Sequence, residues 1–508
     1  MRRSLAAIAL AALASACTPP PEPILLPPTP QAAASATASA PLPAADPLAE
    51  KPAVTPAAVF VPPVPEVFDG PAGSKIWLLE RHTLPLVSLA VVTPLGAAAE
   101  PGDRGGLAVV TADMLDEGAG TRDALAFSAA LDELGAHLST AADRDKSLVA
   151  CDVLSERFEP ALALVADAIV RPRHDAKDFG RVSALWKNAL RSRGDDPQDV
   201  ARLVSSAALF GVDHPYGRPL EGTTASAGRV GLPDVARFHH MVWRPDMVTF
   251  VVVGDTTRAK IGAQLEKAFA GWTAPKEPKP ELPAPKPPEP GPRVVVVERE
   301  GAPQVVMTVI KPGVAASSPE LPGLGLLNVA LGGSFTSRLN QNLREDHGWT
   351  YGARTRFAGH RTAGSFVARA AIRADAIEPA LKETLKEIDA LAKSGLDDGE
   401  NGKVRALVRA EAIETYGSIG AIARSLAQNA ALGLPPDQDA RELAAQASVK
   451  PADLTALSAK YLPTASATIV LVGPRKAIEA ALSANGLPQG ETRDVEGKPT
   501  TSRKAKSK

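Results

Sequence analysis

The sequence is poor in the residues that build several common kinds of site. Two cysteines in 508 residues cannot form a disulfide framework or a cysteine-based zinc cluster. Aromatic residues make up 4%, which argues against base-stacking surfaces, and the formal net charge of −1 argues against a general nucleic-acid binder. No apolar run reaches about 18 residues, so no ordinary membrane-spanning helix is predicted. We therefore expect no nucleic-acid partner.

The chain does have length and unevenly spread proline. Its 508 residues suffice for two or three domains with buried cores. Of 47 prolines, 15 fall within residues 18–65 and nine within residues 275–292. Such segments cannot bury enough apolar surface to offset the entropy of ordering and favour extended conformations. We predict a tether at residues 17–67 and a linker at residues 274–292.

The first residues have the pattern of an export signal. Arg2 and Arg3 precede an apolar stretch at residues 5–14, and small residues then lead into Cys17. Small residues before a cysteine resemble the bacterial lipobox, in which the cysteine is acylated. We predict a signal peptide at residues 1–16 and lipidation of Cys17. The alternative is simple secretion with cleavage after Ala16.

The same residues predict a location. Thr18, rather than aspartate, after the acylated cysteine resembles an outer-membrane sorting signal. We expect a protein of a Gram-negative-type cell envelope, anchored by lipid in the outer membrane and facing the periplasm. Residues 489–508 are polar and end in a basic stretch, which predicts a disordered tail; a site for anionic lipid is the alternative.

The chain between tether and tail is one unit repeated. Landmarks in the first half recur in the second at a nearly constant spacing of 218 or 219 residues. Such an offset indicates duplication of one domain, and we place the copies at residues 68–273 and 293–488. The matching pairs are Pro85 and Pro303, Pro101 and Pro319, Thr249 and Thr468, and Gly254 and Gly473.

Strand patterns at both ends of each half enclose helical patterns. β-Branched apolar runs predict strands, and apolar residues at i, i+3 and i+4 predict helices. This arrangement favours an α+β fold in which helices cover one face of a sheet. Cys151 lies in an apolar strand and is expected to be a buried core thiol. The predicted strands are 86–92, 249–253, 305–310 and 468–472; the predicted helices are 124–134, 158–169, 380–391 and 404–412.

Short motifs occur in a fixed order along both halves. The first half contains 105–108 (GGLA), 114–122, 134–136, 171–172 and 213–223 (DHPYGRPLEGT), and the second contains 332–339 (GGSFTSRL) and 343–351 (LREDHGWTY). In this order they resemble the M16 (insulinase, or pitrilysin-like) metallopeptidase family. The resemblance implies two duplicated domains of the LuxS/metallohydrolase-like fold, each with helices packed on one face of a sheet.

The zinc motif of that family is missing here. Active members carry His-x-x-Glu-His, whose histidines share one helix face and whose Glu acts on metal-bound water. The corresponding positions are Val109, Ala112 and Asp113, and the downstream ligand falls in residues 186–189, which contain no carboxylate. We expect no metal in this chain and no peptidase activity by the family mechanism. None of the eight histidines forms an i, i+4 pair that would indicate relocated ligands.

A second feature of the family remains. In its bacterial two-chain members, one chain holds zinc and the other, without the motif, keeps an Arg/Tyr pair in its second domain. Arg344 and Tyr351 stand in that context here. Both side chains can donate to a peptide carbonyl, so we predict a substrate-binding pair. The alternative is a solvated helix residue and a strand anchor.

Together these features predict a catalytically degenerate M16 subunit. We expect it to pair with a homologue that carries His-x-x-Glu-His and the zinc, and to bind and process peptides in the cell envelope. One alternative is a non-enzymatic peptide-binding or scaffolding lipoprotein. A second is a metallopeptidase with unconventional ligands.

Overall fold

The computed structural model describes residues 59–281, 291 and 293–500, and the chain from Phe60 onward forms one compact unit. The predicted signal peptide, Cys17 and the tether up to residue 58 lie outside the described residues, as do residues 282–290 of the linker. No helix in the described ranges is both long and apolar enough to cross a membrane.

The first half builds a six-stranded sheet in the order β1-β2-β8-β3-β7-β6. Neighbouring strands run antiparallel except β2 and β8, which are parallel. A two-residue hairpin, β4 (Gly118–Ala119) and β5 (Arg122–Asp123), lies apart from it. The sheet strands are β1 (Glu66–Asp69), β2 (Lys75–Glu80), β3 (Leu86–Thr93), β6 (His137–Ala142), β7 (Ser147–Leu154) and β8 (Thr249–Gly254).

The second half repeats this topology in the order β11-β12-β10-β13-β9-β14. Strands β13 and β9 form the parallel pair that corresponds to β8 and β2, so the shared strand order supports the predicted duplication. Only the outermost strands come from different parts of their halves. Strand β1 is the first element of the first half, whereas β14 is the last element of the second half. The strands are β9 (Val294–Glu298), β10 (Gln304–Gly313), β11 (Ala353–Gly359), β12 (Gly364–Arg373), β13 (Thr468–Gly473) and β14 (Glu491–Thr492).

Helices follow the same repeat, and α2 has the predicted bounds. In the first half they are α1 (Leu107–Asp113), α2 (Ala124–Leu134), α3 (Phe158–Val170), α4 (Ala176–Arg193), α5 (Pro197–Phe210), α6 (Thr224–Ala227), α7 (Leu232–Val242) and α8 (Arg258–Ala268). In the second they are α9 (Leu321–Asn328), α10 (Arg338–Asn340), α11 (Ile377–Ser394), α12 (Asp398–Thr415), α13 (Ile419–Leu432), α14 (Gln438–Ser448), α15 (Pro451–Tyr461) and α16 (Arg475–Ala484).

One face of each sheet carries the core of its own half. Alternate residues of the first sheet, including Leu89, Cys151 and Phe250, pack with α1, α2, α3 and α7. The second sheet uses Val305, Met307 and Leu471 in the same way. Cys151 is a buried free thiol, and burial raises its pKa to about 12. The predictions of a sheet–helix layer and of a core thiol are therefore confirmed.

The other face of each sheet is also covered, by a helix from the opposite half. Helix α5 of the first half packs on the second sheet, against Val295, Val306 and Val470. Helix α13 of the second half packs on the first sheet, against Trp77 and Val251. Because both faces are apolar, each sheet needs two helical layers, where the sequence predicted one.

A polar junction also ties the two halves together. Asp145 is 4% exposed, and its side chain accepts a hydrogen bond from the Tyr216 hydroxyl at 2.8 Å. From the second half, His360 Nδ1 lies 3.3 Å from its carboxylate and Arg361 donates to its carbonyl oxygen at 2.7 Å. The Tyr216 and His360 rings stack with centroids 4.6 Å apart. One carboxylate thus joins a hairpin of the first half to the β11–β12 turn of the second.

The predicted disordered tail is wrong for residues 489–500. Strand β14 pairs with β9, and Arg493 bridges to Pro499. Glu496 then accepts a hydrogen bond from Thr224 of α6 at 3.2 Å. Unpaired backbone groups at the edge of the second sheet explain the order, since β9 offers a hydrogen-bonding partner to a polar segment. Residues 501–508 lie outside the described residues.

Parts of the predicted tether and linker are also packed. Residues 66–67 belong to β1, and the Phe60 ring meets the Tyr416 ring edge-on, with centroids 5.9 Å apart. Arg244 donates to the carbonyl oxygens of Glu277 and Pro278 at 3.1 and 3.0 Å. The segments nearest the domains are therefore held by main-chain and ring contacts that composition does not reveal.

The junction predicts a pH-dependent loss of stability. Burial of Asp145 disfavours its charge, but hydrogen bonds from His360 and Tyr216 outweigh this effect and lower its pKa. Its stabilising contribution is then present above pH 3.8 and lost as the pH falls through the lowered pKa. We expect Asp145→Asn to reduce the free energy of unfolding by about 1–3 kcal/mol at pH 7, with a smaller deficit in acid.

Urea unfolding at neutral and acid pH measures this difference. Asp375→Asn is the matched control, because Asp375 is exposed and its partner is the exposed Arg373. The control should change stability by less than about 0.5 kcal/mol. Equal losses in the two variants would contradict the role of the junction.

Candidate functional site

The helix of the degenerate motif, α1, begins at a crowded turn. Gly106 has a φ of 89°, and a Cβ there would lie 2.4 Å from the Glu221 carbonyl oxygen and 2.5 Å from the Trp186 ring. The buried Glu100 side chain accepts hydrogen bonds from the N–H groups of Gly106 and Ala108 at 3.1 and 2.6 Å. Burial raises the pKa of Glu100 to about 8, outweighing both donors. This carboxyl satisfies the unpaired N–H groups at the helix start.

The three motif positions lie on α1 as the sequence predicts. Ala112 is buried, Val109 is half-buried, and Asp113 is the last helical residue and reaches solvent. Val109 and Ala112 carry no donor atom, so only one carboxylate remains where the family places three functional side chains. These residues do not fit a zinc ion, which takes four nitrogen, sulfur or oxygen ligands.

The neighbouring helix α4 supplies an apolar surface to this region. Val182, Trp186 and Leu190, at i, i+4 and i+8, are buried in the same core as α1, and α4 contacts α1. Trp186 Nε1 donates to the Glu221 carbonyl oxygen at 2.9 Å. The indole therefore packs at the start of α1, within the stretch in which the family carries its downstream ligand.

Three carboxylates cluster at the end of α1. Asp113 reaches solvent, yet desolvation by the surrounding protein, and then the charges of Asp116 and Glu117, raise its pKa to about 6. Desolvation and Glu117 raise the pKa of Asp116 as well. Glu117 is paired with Arg181 of α4. Arg181 therefore pairs with one of the three carboxylates, and within the described structure the negative charges of Asp113 and Asp116 are left without an ion-pair partner of their own.

No other metal-ligand group takes the place of the motif in the part of the chain that the structure describes. No three His, Cys, Asp or Glu residues lie close enough to hold a metal ion there. The rings of His174 and His239 meet edge to face, with centroids 5.1 Å apart. His239 Nε2 engages the Ile169 carbonyl oxygen at 3.0 Å, and burial lowers the pKa of His239 to about 3.

The predicted Arg/Tyr pair lies in the second half, between α10 and β11. Arg344 is in a π-helical turn at Gln341–Asp346 that continues α10, and its Nε lies 3.5 Å from Glu345. Tyr351 precedes β11 and is 94% exposed. In the described structure the Tyr351 hydroxyl has no hydrogen-bond partner, and no hydrogen bond or cation–π contact joins Tyr351 to Arg344.

Two further residues contact the segments that carry Arg344 and Tyr351, and the sequence reasoning missed both. Asn340, 7% exposed, donates to the Ser334 carbonyl oxygen at 3.0 Å and accepts from the Ala353 N–H at 2.8 Å. One amide therefore ties the loop after α9 to the start of β11, two residues beyond Tyr351.

The other residue is Phe335, whose ring lies 4.2 Å below the Arg344 guanidinium carbon. Gly332, three residues before Phe335, indicates a close approach of the backbone to another segment. A Cβ at Gly332 would lie 2.6 Å from the Thr355 side chain. Glycine thus lets the loop that carries Phe335 approach β11. The sequence shows the need for a close approach but not its partner.

Two sequence models of one family match the chain. The model described as "Insulinase (Peptidase family M16)" matches residues 75–224, and the one described as "Peptidase M16 inactive domain" matches residues 229–407. Together they span well over half of the sequence. The chain belongs to peptidase family M16. The resemblance inferred from the sequence is therefore confirmed, and so is the duplicated M16-type fold.

Relatives of this M16 chain include proteins named as zinc proteases. An uncharacterized zinc protease of Streptomyces coelicolor is 26% identical over 374 residues, covering 72% of this chain and 80% of its own length. An uncharacterized zinc protease of Bacillus subtilis is 23% identical over 333 residues, covering 65% and 78%.

Solved structures share the fold. A Pseudomonas fluorescens structure described as a peptidase M16 inactive domain has a TM-score of 0.75 at 24% identity, covering 81% of this chain and 98% of its own. A Helicobacter pylori protease has a TM-score of 0.73 at 18% identity, covering 81% and 100%. Identities this low support the fold alone.

The acidic cluster predicts that removing one charge stabilises this M16 chain. Because folding raises the pKa of Asp113 from 3.8 to about 6, the folded state binds its proton more tightly than the unfolded chain does. Stability is then lost as the pH rises through this range. We expect Asp113→Asn to raise the free energy of unfolding by about 1 kcal/mol at pH 7, a value reduced for solvent screening.

Urea unfolding at pH 7 and in acid tests this expectation. The gain should vanish in acid, where the wild-type carboxyl is already protonated. Asp132→Asn on the exposed side of α2 is the control and should be neutral at both pH values. A destabilised Asp113→Asn variant at pH 7 would show that the carboxylate has a favourable partner.

Proposed function

We propose that this chain is a non-catalytic M16 subunit that pairs with a zinc-bearing homologue to bind and process peptides in the cell envelope. The observation that carries the proposal is the contrast between its two halves. Helix α1 has lost the donor atoms of the zinc motif, whereas the second half keeps Arg344 and Tyr351 at an exposed site. Bond cleavage is then the task of the partner chain.

The chemistry of the retained pair suits substrate binding. An Arg guanidinium and a Tyr hydroxyl can both donate to a peptide carbonyl oxygen, and these bonds strengthen as negative charge develops on it. In the described structure the Tyr351 hydroxyl is free, and the only acidic group that the Arg344 guanidinium meets is Glu345, at 3.5 Å. Both donors are therefore available to a peptide.

The envelope location rests on the predicted signal peptide and on Cys17, which would carry the lipid. A proline-rich tether up to residue 58 would hold the M16 unit away from the membrane surface. The acyl chain and the tether together would place the peptide site in the periplasm, next to a partner chain in the same compartment.

The first experiment asks what the native chain binds and whether it holds metal. We expect affinity purification of the tagged, lipidated protein from membranes to recover an M16 homologue with His-x-x-Glu-His. Metal analysis should find zinc in the complex at the stoichiometry of that homologue, and none in the chain purified alone. Recovery without such a homologue would favour the scaffold, and stoichiometric zinc in the isolated chain would favour an unconventional metallopeptidase.

The second experiment tests the site in the reconstituted complex. Arg344→Ala and Tyr351→Phe should each lower kcat/KM for peptide hydrolysis, by about 100-fold for the loss of a charged donor and less for the hydroxyl. Arg157→Ala is the matched control, because Arg157 is exposed and its Nε also lies 3.5 Å from the adjacent glutamate. Full activity in both site variants would remove Arg344 and Tyr351 from the substrate site.

A further inference from the structure

Only two Phe, Tyr or Trp rings are exposed in the described chain, and one of them contacts Arg344. Every Phe, Tyr and Trp residue lies within the described ranges, and all but two are buried or half-buried. The exceptions are Phe335, 65% exposed, and Tyr351, 94% exposed. An exposed large apolar side chain gains nothing from burial in its own fold, so Phe335, which contacts Arg344, calls for a functional explanation.

The Phe335 ring contacts Arg344 in a way that leaves its donors free. Its centroid lies 4.2 Å from the guanidinium carbon, within the range of a cation–π contact. The contact is with an aromatic ring and not with a hydrogen-bond acceptor, so the guanidinium N–H groups stay available to donate. By contrast, Arg338 and Arg244 are bound through two nitrogens each to Glu400 and Asp246, which occupies their donors.

The loop that carries Phe335 is itself held in place. Asn340 binds the carbonyl oxygen of Ser334 at 3.0 Å and the hydroxyl of Ser337 at 3.2 Å. The Ser334 hydroxyl donates back to the Val329 carbonyl oxygen at 3.0 Å. The chain on both sides of Phe335 is thus held by hydrogen bonds to the residue that follows α9 and to α10. These bonds restrict the position of the Phe335 ring.

We propose that Phe335 is a positioning residue for Arg344: its ring orients the guanidinium so that the N–H groups face a peptide carbonyl. The proposal rests on the proposed function, because it assigns a role within the same peptide site. Without the ring, the long Arg344 side chain samples many rotamers and must be ordered when the peptide binds, at a cost in affinity.

The first test uses NMR to detect the contact between Phe335 and Arg344 in the full-length chain, without any peptide. In protein labelled with ¹⁵N-arginine, the Nε–H signal of Arg344 is assigned by its absence from Arg344→Lys. A ring over the guanidinium displaces this signal, so Phe335→Leu should move it toward the exposed-arginine position and Phe335→Trp should keep it displaced. A signal that Phe335→Leu does not move overturns the proposal.

The second test measures peptide affinity by fluorescence anisotropy, using a fluorescein-labelled, unstructured 20-residue peptide and the full-length chain in its complex. Phe335→Leu should weaken binding about two- to fivefold, the loss expected for an exposed cation–π contact. Phe335→Trp should restore it. Leu125→Ala, which removes another exposed apolar side chain from α2, is the control and should bind as wild type does.

The double variant separates positioning from direct contact. In the Arg344→Ala background, Phe335→Leu should cause no further loss, because the ring then has nothing to orient. An equal loss in both backgrounds means that Phe335 touches the peptide itself and overturns the proposal. An affinity unchanged by Arg344→Ala contradicts the proposed function, whereas an Arg344 effect without a Phe335 effect contradicts only this inference.

Discussion

The two apolar faces of each sheet are the constraint on which the rest of the molecule depends. If its own helices alone covered each sheet on one side, the apolar side chains of the other face would be exposed to water. Each large apolar side chain left exposed would forgo about 1.5–3 kcal/mol of stabilisation. The chain avoids this cost by exchanging helices: α5 covers the second sheet and α13 the first. The two halves are consequently one body, to which the Asp145 junction adds directional contacts.

This shared body explains how the first half keeps its shape without the chemistry of the family motif. Helix α1 is held by the Glu100 side chain at its start, by the close approach of Gly106 to Glu221, and by the apolar surface of α4. The side chains that replace the motif are therefore held by packing. The carboxylates at the end of α1 then repel one another with little compensation.

The second half uses its corresponding region differently. The segment after α9 approaches β11 because Gly332 allows it, and Asn340 ties the loop that follows to the strand. The same arrangement presents Phe335, Arg344 and Tyr351 outside the core. A duplicated domain has thus kept a packed helix in one copy and an exposed polar and aromatic site in the other.

Local patterns in the sequence determined much of this. Apolar periodicity predicted β3, β10 and α2, and the motif positions showed which donor atoms α1 lacks, because these properties depend on neighbouring residues alone. The repeat spacing predicted the duplication, because it can be read by comparing the two halves of the sequence. Tertiary structure alone decided that α5 and α13 each pack on the sheet of the other half, that β14 pairs with β9, and that Phe335 contacts Arg344. These contacts join residues far apart or on a loop without periodicity, and their energies depend on which surfaces meet after folding.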